Sequence, residues 1–183
     1  MPLLSGGYTI GSVEPDYLSQ IGLQPLLDGP LSLQKVQHGR ATAWRIADEL
    51  SPTLARLAQA LRLHSPYVAA QWRGEALAIG SEAGQVLGQV ERALVRPLGI
   101  TTQAVHLVGR APDGRLWVQQ RALDKANDPG LWDTLMGGMV AAADTVTSAL
   151  ARETWEEAGL RLHSLTALRR GGQVTLQRPT EPG

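Results

Sequence analysis

Apolar positions along the first hundred residues recur with mixed periods. Val13, Tyr17, Leu18 and Ile21 keep a helical spacing and predict a helix over 13–27, entered through Glu14-Pro15-Asp16. Residues 31–36 alternate, Leu-Ser-Leu-Gln-Lys-Val, and predict a strand. Ser51-Pro52 predicts a second helix, with Ser51 as N-cap, proline at the first helical position, and Leu54, Leu57, Ala58 and Leu61 on one stripe. A short strand is expected over 76–79, and a helix over 85–94 that ends near Pro97 and Gly99. The expectation for 1–100 is an α+β N-terminal module. It carries no identifiable catalytic motif, so packing or substrate shaping is the role expected of it.

From Thr101 the pattern tightens. Residues 101–108 predict a strand, Pro112-Asp113-Gly114 a turn, and 116–120 the returning strand of a hairpin. A polar loop follows over 124–130, then a short strand from Leu131 that runs into Gly137-Gly138. Residues from about 145 to 158 predict a helix, with Gly159 where helices stop. Glycines and polar residues in the tail frame one more predicted strand over 171–179. His106 lies on an apolar strand and is expected to be buried and satisfied.

Composition narrows the picture. The chain has 183 residues, 43% hydrophobic and 19% charged, which fits a soluble globular protein of one domain or two small ones. Seventeen basic residues balance seventeen acidic ones, so neither a nucleic acid nor a membrane surface is expected as a partner. No cysteine is present, which excludes disulfides, thiol catalysis and cysteine-held metals. Any metal must bind through oxygen or the four histidines. There is no run of eighteen apolar residues and no signal-peptide pattern, so the expected compartment is the cytoplasm. The arginine and alanine bias reads as a GC-rich bacterial genome.

The helix over 145–158 carries the chemistry. At 100° per residue, Glu153, Glu156 and Glu157 fall within one sector of ~100°. Thr147, Ala151, Thr154 and Ala158 lie opposite and are expected to pack on a sheet, with Trp155 at their edge. Three carboxylates on one sector repel by a few tenths of a kcal/mol per neighbouring pair, and Arg152, i,i+4 from Glu156, offsets part of this. Such a face is either solvated or loaded with a hard cation, Mg²⁺ or Mn²⁺, whose remaining ligands would be the oxygens of a phosphate ester or diphosphate. The spacing weighs toward the second. From Gly138 the chain runs five residues to Asp144, seven more, then Arg152-Glu153-Thr154-Trp155-Glu156-Glu157-Ala158-Gly159-Leu160. The six exact identities in that frame would arise by chance on the order of once in 10⁷ starting points.

This frame resembles the Nudix box, with Asp144 in place of its first Glu and Thr154 in place of a bulky apolar residue. The resemblance implies a Nudix hydrolase with an α/β/α sandwich and mixed sheet over 101–183. It implies a divalent ion held by Glu153, Glu156, Glu157 and the Gly137 carbonyl, with Arg152 orienting the carboxylates. The general base would be Glu153 or a Glu on a later loop. Gln119-Gln120-Arg121, Lys125, Pro129-Gly130-Leu131-Trp132-Asp133 and Gly137-Gly138 resemble the subgroup near isopentenyl-diphosphate isomerases, which makes Arg121 and Lys125 candidate diphosphate contacts. Tyr8 to Pro15, Gln71 to Glu75, Glu91 to Ala93 and Gly99 to Leu107 resemble the domain that precedes the Nudix part of yeast-type thiamine pyrophosphokinases and their stand-alone relatives. That resemblance implies hydrolysis of thiamine diphosphate, or its oxidised forms, to the monophosphate. Trp72, Trp132 or Trp155 could stack on such a ring. Two rivals stand beside this: a catalytically impaired Nudix-like binding module, and an isomerase, which the missing cysteine disfavours. The Nudix part is expected to be incomplete at its C-terminus, leaving a sheet edge that favours a homodimer.

Overall fold

The computed structural model describes residues 1–22, 33–81, 84–125 and 128–176. Among the described residues two compact units emerge: Met1–Gln103 joined by Ala141–Ala143, and Ala104–Val140 joined by residues 144–176.

In the first unit, β1 (Pro2–Ser5), β2 (Tyr8–Ser12), β3 (Leu33–His38) and β4 (Ala41–Ile46) form a sheet in the order β2-β1-β4-β3. Strand β1 runs parallel to β4 and the other pairs are antiparallel, so the sheet is mixed. The helix expected over 13–27 is reduced, among described residues, to one turn, α1 (Tyr17–Gln20). Val13 is instead buried beyond β2 and bonds its amide to the Met1 carbonyl at 2.8 Å, which commits it to extended backbone. Residues 23–27 and 31–32 of these two expectations lie outside the described residues. Helix α2 (Leu50–His64) starts one residue ahead of Ser51. Ser51 therefore does not cap it; its Oγ accepts the Gln89 amide at 3.0 Å. Leu54, Leu57, Ala58 and Leu61 are buried as the stripe predicts. A shorter helix, α3 (Pro66–Gln71), follows, with Ser65 as its cap.

The helix expected over 85–94 is overturned. Residues Val86–Glu91 form β6, antiparallel to β5 (Ala76–Gly80), and only Arg92–Leu94 make a 3₁₀ turn. Cross-strand pairing of Val90 with Leu77 buries both side chains. Gly88 leaves room for Leu50 and Ser51 of α2 to approach, which a helix there would not offer. Strand β5 also bridges Thr102 and Ala141.

The second unit contains β7 (Ala104–Leu107), β8 (Gly109–Arg110), β9 (Leu116–Gln120), β10 (Trp132–Thr134), β11 (Met136–Met139) and α4 (Val146–Ala158). Strands β8, β9 and β10 form an antiparallel sheet and β7 pairs antiparallel with β11. Its small core is Val105, Val140 and Ala149, with Leu150 packed against it. Val108, Leu116, Val118 and Trp132 are each more than half exposed and line one shallow cavity. The strand expected over 171–179 does not form across 171–176, where the chain is exposed and finds no pairing partner; 177–179 lie outside the described residues.

Candidate active site

Helix α4 is set at both ends. Thr145 Oγ1 accepts the Ser148 amide at 3.1 Å and Ser148 Oγ accepts the Thr145 amide at 2.9 Å, a reciprocal cap. Gly159 ends the helix at φ 65°, left-handed backbone that glycine adopts without strain. The packing face differs from the expectation. Thr154 is buried as expected, but Thr147 and Ala151 are exposed and Ala149 is buried instead. Thr154, at the position that departs from the box, satisfies its hydroxyl on the Leu150 carbonyl at 2.6 Å.

The carboxylates lie toward β11 because glycines receive them. A Cβ built on Gly138 would overlap the Glu153 carboxyl group, which is only 14% exposed. Glu157 Oε2 accepts the Gly137 amide at 3.3 Å and Gln119 Nε2 at 3.4 Å. A residue's N–H and C=O point to the same side of a strand, so the Gly137 carbonyl also faces away from β7, toward the Glu157 side. Glu156 stays more than half exposed.

Arg152 ties the cluster together. Its Nε and Nη2 donate to Asp144 Oδ2 at 3.1 and 2.9 Å, and its Nη1 donates to Glu153 at 2.9 Å and Glu156 at 3.3 Å. Asp144 also accepts Ser148 Oγ at 2.9 Å. The hydrogen bonds from Arg152 and then Ser148 hold the Asp144 carboxyl below its ordinary range, and the same Asp144 bond raises Arg152. The shorter side chain at 144 thus reaches the guanidinium. The donor set is oxygen only, which suits a hard cation. Among the described residues, no three carboxylate or imidazole groups are gathered so as to hold a metal ion, and Arg152, Gln119 and the Gly137 amide engage the box carboxylates.

A second network adjoins Gly137. Arg121 donates to Asp133 Oδ2 at 3.1 Å and to the Asp128 carbonyl at 3.2 Å. Burial pushes Asp133 up, but the Thr134 amide, the Arg121 guanidinium and, when its ring is protonated, His106 outweigh it and leave the carboxyl below its ordinary range. His106 Nδ1 lies 3.0 Å from Thr134 Oγ1. Its side chain is 51% exposed, not buried as expected, because alternation along β7 turns Val105 and Leu107 inward and His106 outward. Sequence reading missed Gln119, Asp133 and Thr134; the alternation that turns His106 outward was the one signal present. Lys125 is exposed just past a turn, its amide donating to the Ala122 carbonyl at 3.2 Å. Trp155 is exposed under Arg161, with the guanidinium 5.2 Å from its ring, and Trp72 is half-buried under Arg62.

Residues 101–181 match the family model of the NUDIX domain. The segment is thus similar to Nudix domains. An uncharacterized Nudix hydrolase of Pseudomonas aeruginosa is 38% identical over 87 residues, 48% of this chain and 52% of that protein. One of Streptomyces coelicolor is 34% identical over 85 residues, 46% of this chain and 47% of its own. The isopentenyl-diphosphate Delta-isomerase of Streptomyces avermitilis is 33% identical over 104 residues, 56% of this chain and 51% of its own. A crystal structure from Deinococcus radiodurans is 27% identical, with a TM-score of 0.46, and the match covers 50% of this chain and 57% of that one. The chain spans about half the length of the curated relatives it matches. No helix among the described residues is long and apolar enough to cross a membrane.

Proposed function

We propose that the Nudix-like segment hydrolyses a diphosphate with the help of a divalent ion, Mg²⁺ or Mn²⁺, and that thiamine diphosphate or its oxidised analogues are cleaved to the monophosphate. The observation that carries this reading is the seating of Glu153 and Glu157 against Gly138 and Gly137, with Arg152 bridging to Asp144 and Glu156. Glu153, Glu156, Glu157 and the Gly137 carbonyl would hold the ion. When bound, such an ion neutralises phosphate oxygens and acidifies a bound water. Arg152 fixes the direction of the carboxylates, since one guanidinium meets three of them. Glu153, held on one oxygen by Arg152, is the candidate to take the water's proton. Lys125 and Arg121 are the cations this reading assigns to the diphosphate.

A second reading, a binding module without turnover, is favoured by the engagement of every box carboxylate with protein partners. Isomerisation of isopentenyl diphosphate ranks below both, because the chain has no cysteine. One assay separates them. Oxo-thiamine diphosphate, ADP-ribose and a nucleoside triphosphate are incubated with the protein, with and without Mg²⁺, beside Glu156→Gln. Metal-dependent cleavage that the variant loses, read as phosphate from the thiamine diphosphate, phosphate or pyrophosphate from the triphosphate, or two phosphomonoesters from ADP-ribose, supports hydrolysis; binding without cleavage supports the module. Equal turnover in the variant refutes the ligand assignment.

A further inference from the structure

We propose that His106 positions the substrate of this site, its Nε2 accepting a hydrogen bond from an N–H or O–H on the organic half of the diphosphate; this rests on the hydrolase reading above. Proton accounting fixes the ring. Thr134 Oγ1 has one hydrogen, and its neighbours are the Met136 carbonyl at 2.8 Å and Asp133 Oδ1 at 3.4 Å. Both can only accept, so the hydroxyl proton points to one of them. The remaining contact of that oxygen, His106 Nδ1 at 3.0 Å, must then be a donor. The tautomer assigned from the network is Nδ1–H, which leaves the lone pair of the neutral ring on Nε2. Nε2 has no partner among the described residues, and the side chain is half exposed.

The ring is held in place from behind. Arg121 fixes Asp133, Asp133 Oδ1 accepts the Thr134 amide at 2.8 Å, and Thr134 receives the imidazole. The ring lies against Gly137, where an added Cβ would come within 2.6 Å of Nδ1 and Cε1. The amide of that same glycine meets Glu157. One residue of β11 therefore carries a box carboxylate on its edge and the Nδ1–Cε1 side of the imidazole over its face. An acceptor set beside a diphosphate site selects a substrate that presents a donor there, such as an aminopyrimidine or a sugar hydroxyl, over a hydrocarbon tail.

Two measurements test this. In the first, long-range ¹H–¹⁵N correlation spectra of imidazole-labelled protein are recorded for the natural chain and Thr134→Val. The expected result is a bare Nε2 in the natural chain and a shift toward Nε2–H in the variant; an Nε2–H ring in the natural chain overturns the proposal. This arm needs no substrate, so it stands or falls apart from the hydrolase reading. In the second, Mn²⁺-loaded protein is titrated with thiamine diphosphate and with isopentenyl diphosphate, whose hydrocarbon half has no N–H or O–H. His106→Ala is expected to weaken thiamine diphosphate about tenfold, in KM more than in kcat, and to leave isopentenyl diphosphate unchanged. His106→Gln, which keeps an acceptor, is expected to recover most of the loss. Equal loss on both ligands, no loss on either, or no binding of thiamine diphosphate to the natural chain overturns the substrate assignment. Absence of metal-dependent cleavage by the natural chain refutes the hydrolase reading alone.

Discussion

Gly138→Ala is the most direct probe of how the carboxylates are seated. The added methyl would occupy the place of the Glu153 carboxyl group, nearer than real Cβ atoms approach any neighbour. Glu153 is not a free surface arm that can swing away. Its side chain is 14% exposed and one oxygen is bonded to Arg152 at 2.9 Å. Relief requires either a shift of α4 away from β11 or a new rotamer that breaks the Arg152 bond. Overpacking a fitted site costs about 1–3 kcal/mol. In a chain of this length each kcal/mol lowers the unfolding midpoint by roughly 2–4 °C. The variant should therefore unfold several degrees earlier by circular dichroism and lose metal-dependent phosphate release. Glu153→Ala removes the opposing group, so the double variant should be no less stable than Glu153→Ala alone, a coupling that only contact between the two positions produces. Gly171→Ala, where nothing lies within 4 Å of the added carbon, is the neutral control. A Gly138→Ala protein with unchanged midpoint and full activity would refute the packing of Glu153 on the strand.

Other outcomes follow from the same geometry. Thr145→Ala removes the acceptor for the Ser148 amide and should cost about 1 kcal/mol, read in urea unfolding. Asp144→Asn should lower phosphate release by loosening Arg152, whereas Asp144→Glu should give no gain, because the shorter carboxylate already meets both Arg152 and Ser148. Asp144 and Asp133 are both held below their ordinary carboxyl range, so their pairings stabilise the fold fully above about pH 4 and lose that contribution as the pH falls through their lower folded values. The midpoint should be flat from neutral pH down to about 5 and drop in acid, and Asp144→Asn should flatten the drop.

Local signals marked α4 well. Thr145 and Gly159 set its ends, and turn residues marked the hairpin of β8 and β9. Which face of α4 meets the sheet was not legible. Hydrophobic periodicity assumes that carboxylates seek water, but Gly137 and Gly138 open a strand surface on which Glu153 and Glu157 pack with their own partners. The error over 85–94 has a similar root. A short apolar stretch with one glycine fits either period, and only pairing of β6 with β5 decides it. The network around Asp133 depends on contacts twelve or more residues apart in sequence, Arg121 to Asp133 and His106 to Thr134, which no local pattern encodes.

The exposed Val108, Leu116, Val118 and Trp132 surface alters how this protein should be assayed. Dyes that fluoresce on apolar surface are the usual reporters of loosened, partly folded states. Here a fully folded second unit already offers them an aromatic and aliphatic landing place. Dye fluorescence at room temperature would be a property of the native chain, and thermal scans that read its onset as melting would begin from a false baseline. Intrinsic tryptophan emission would share the bias, since Trp132 is 69% exposed before any unfolding begins.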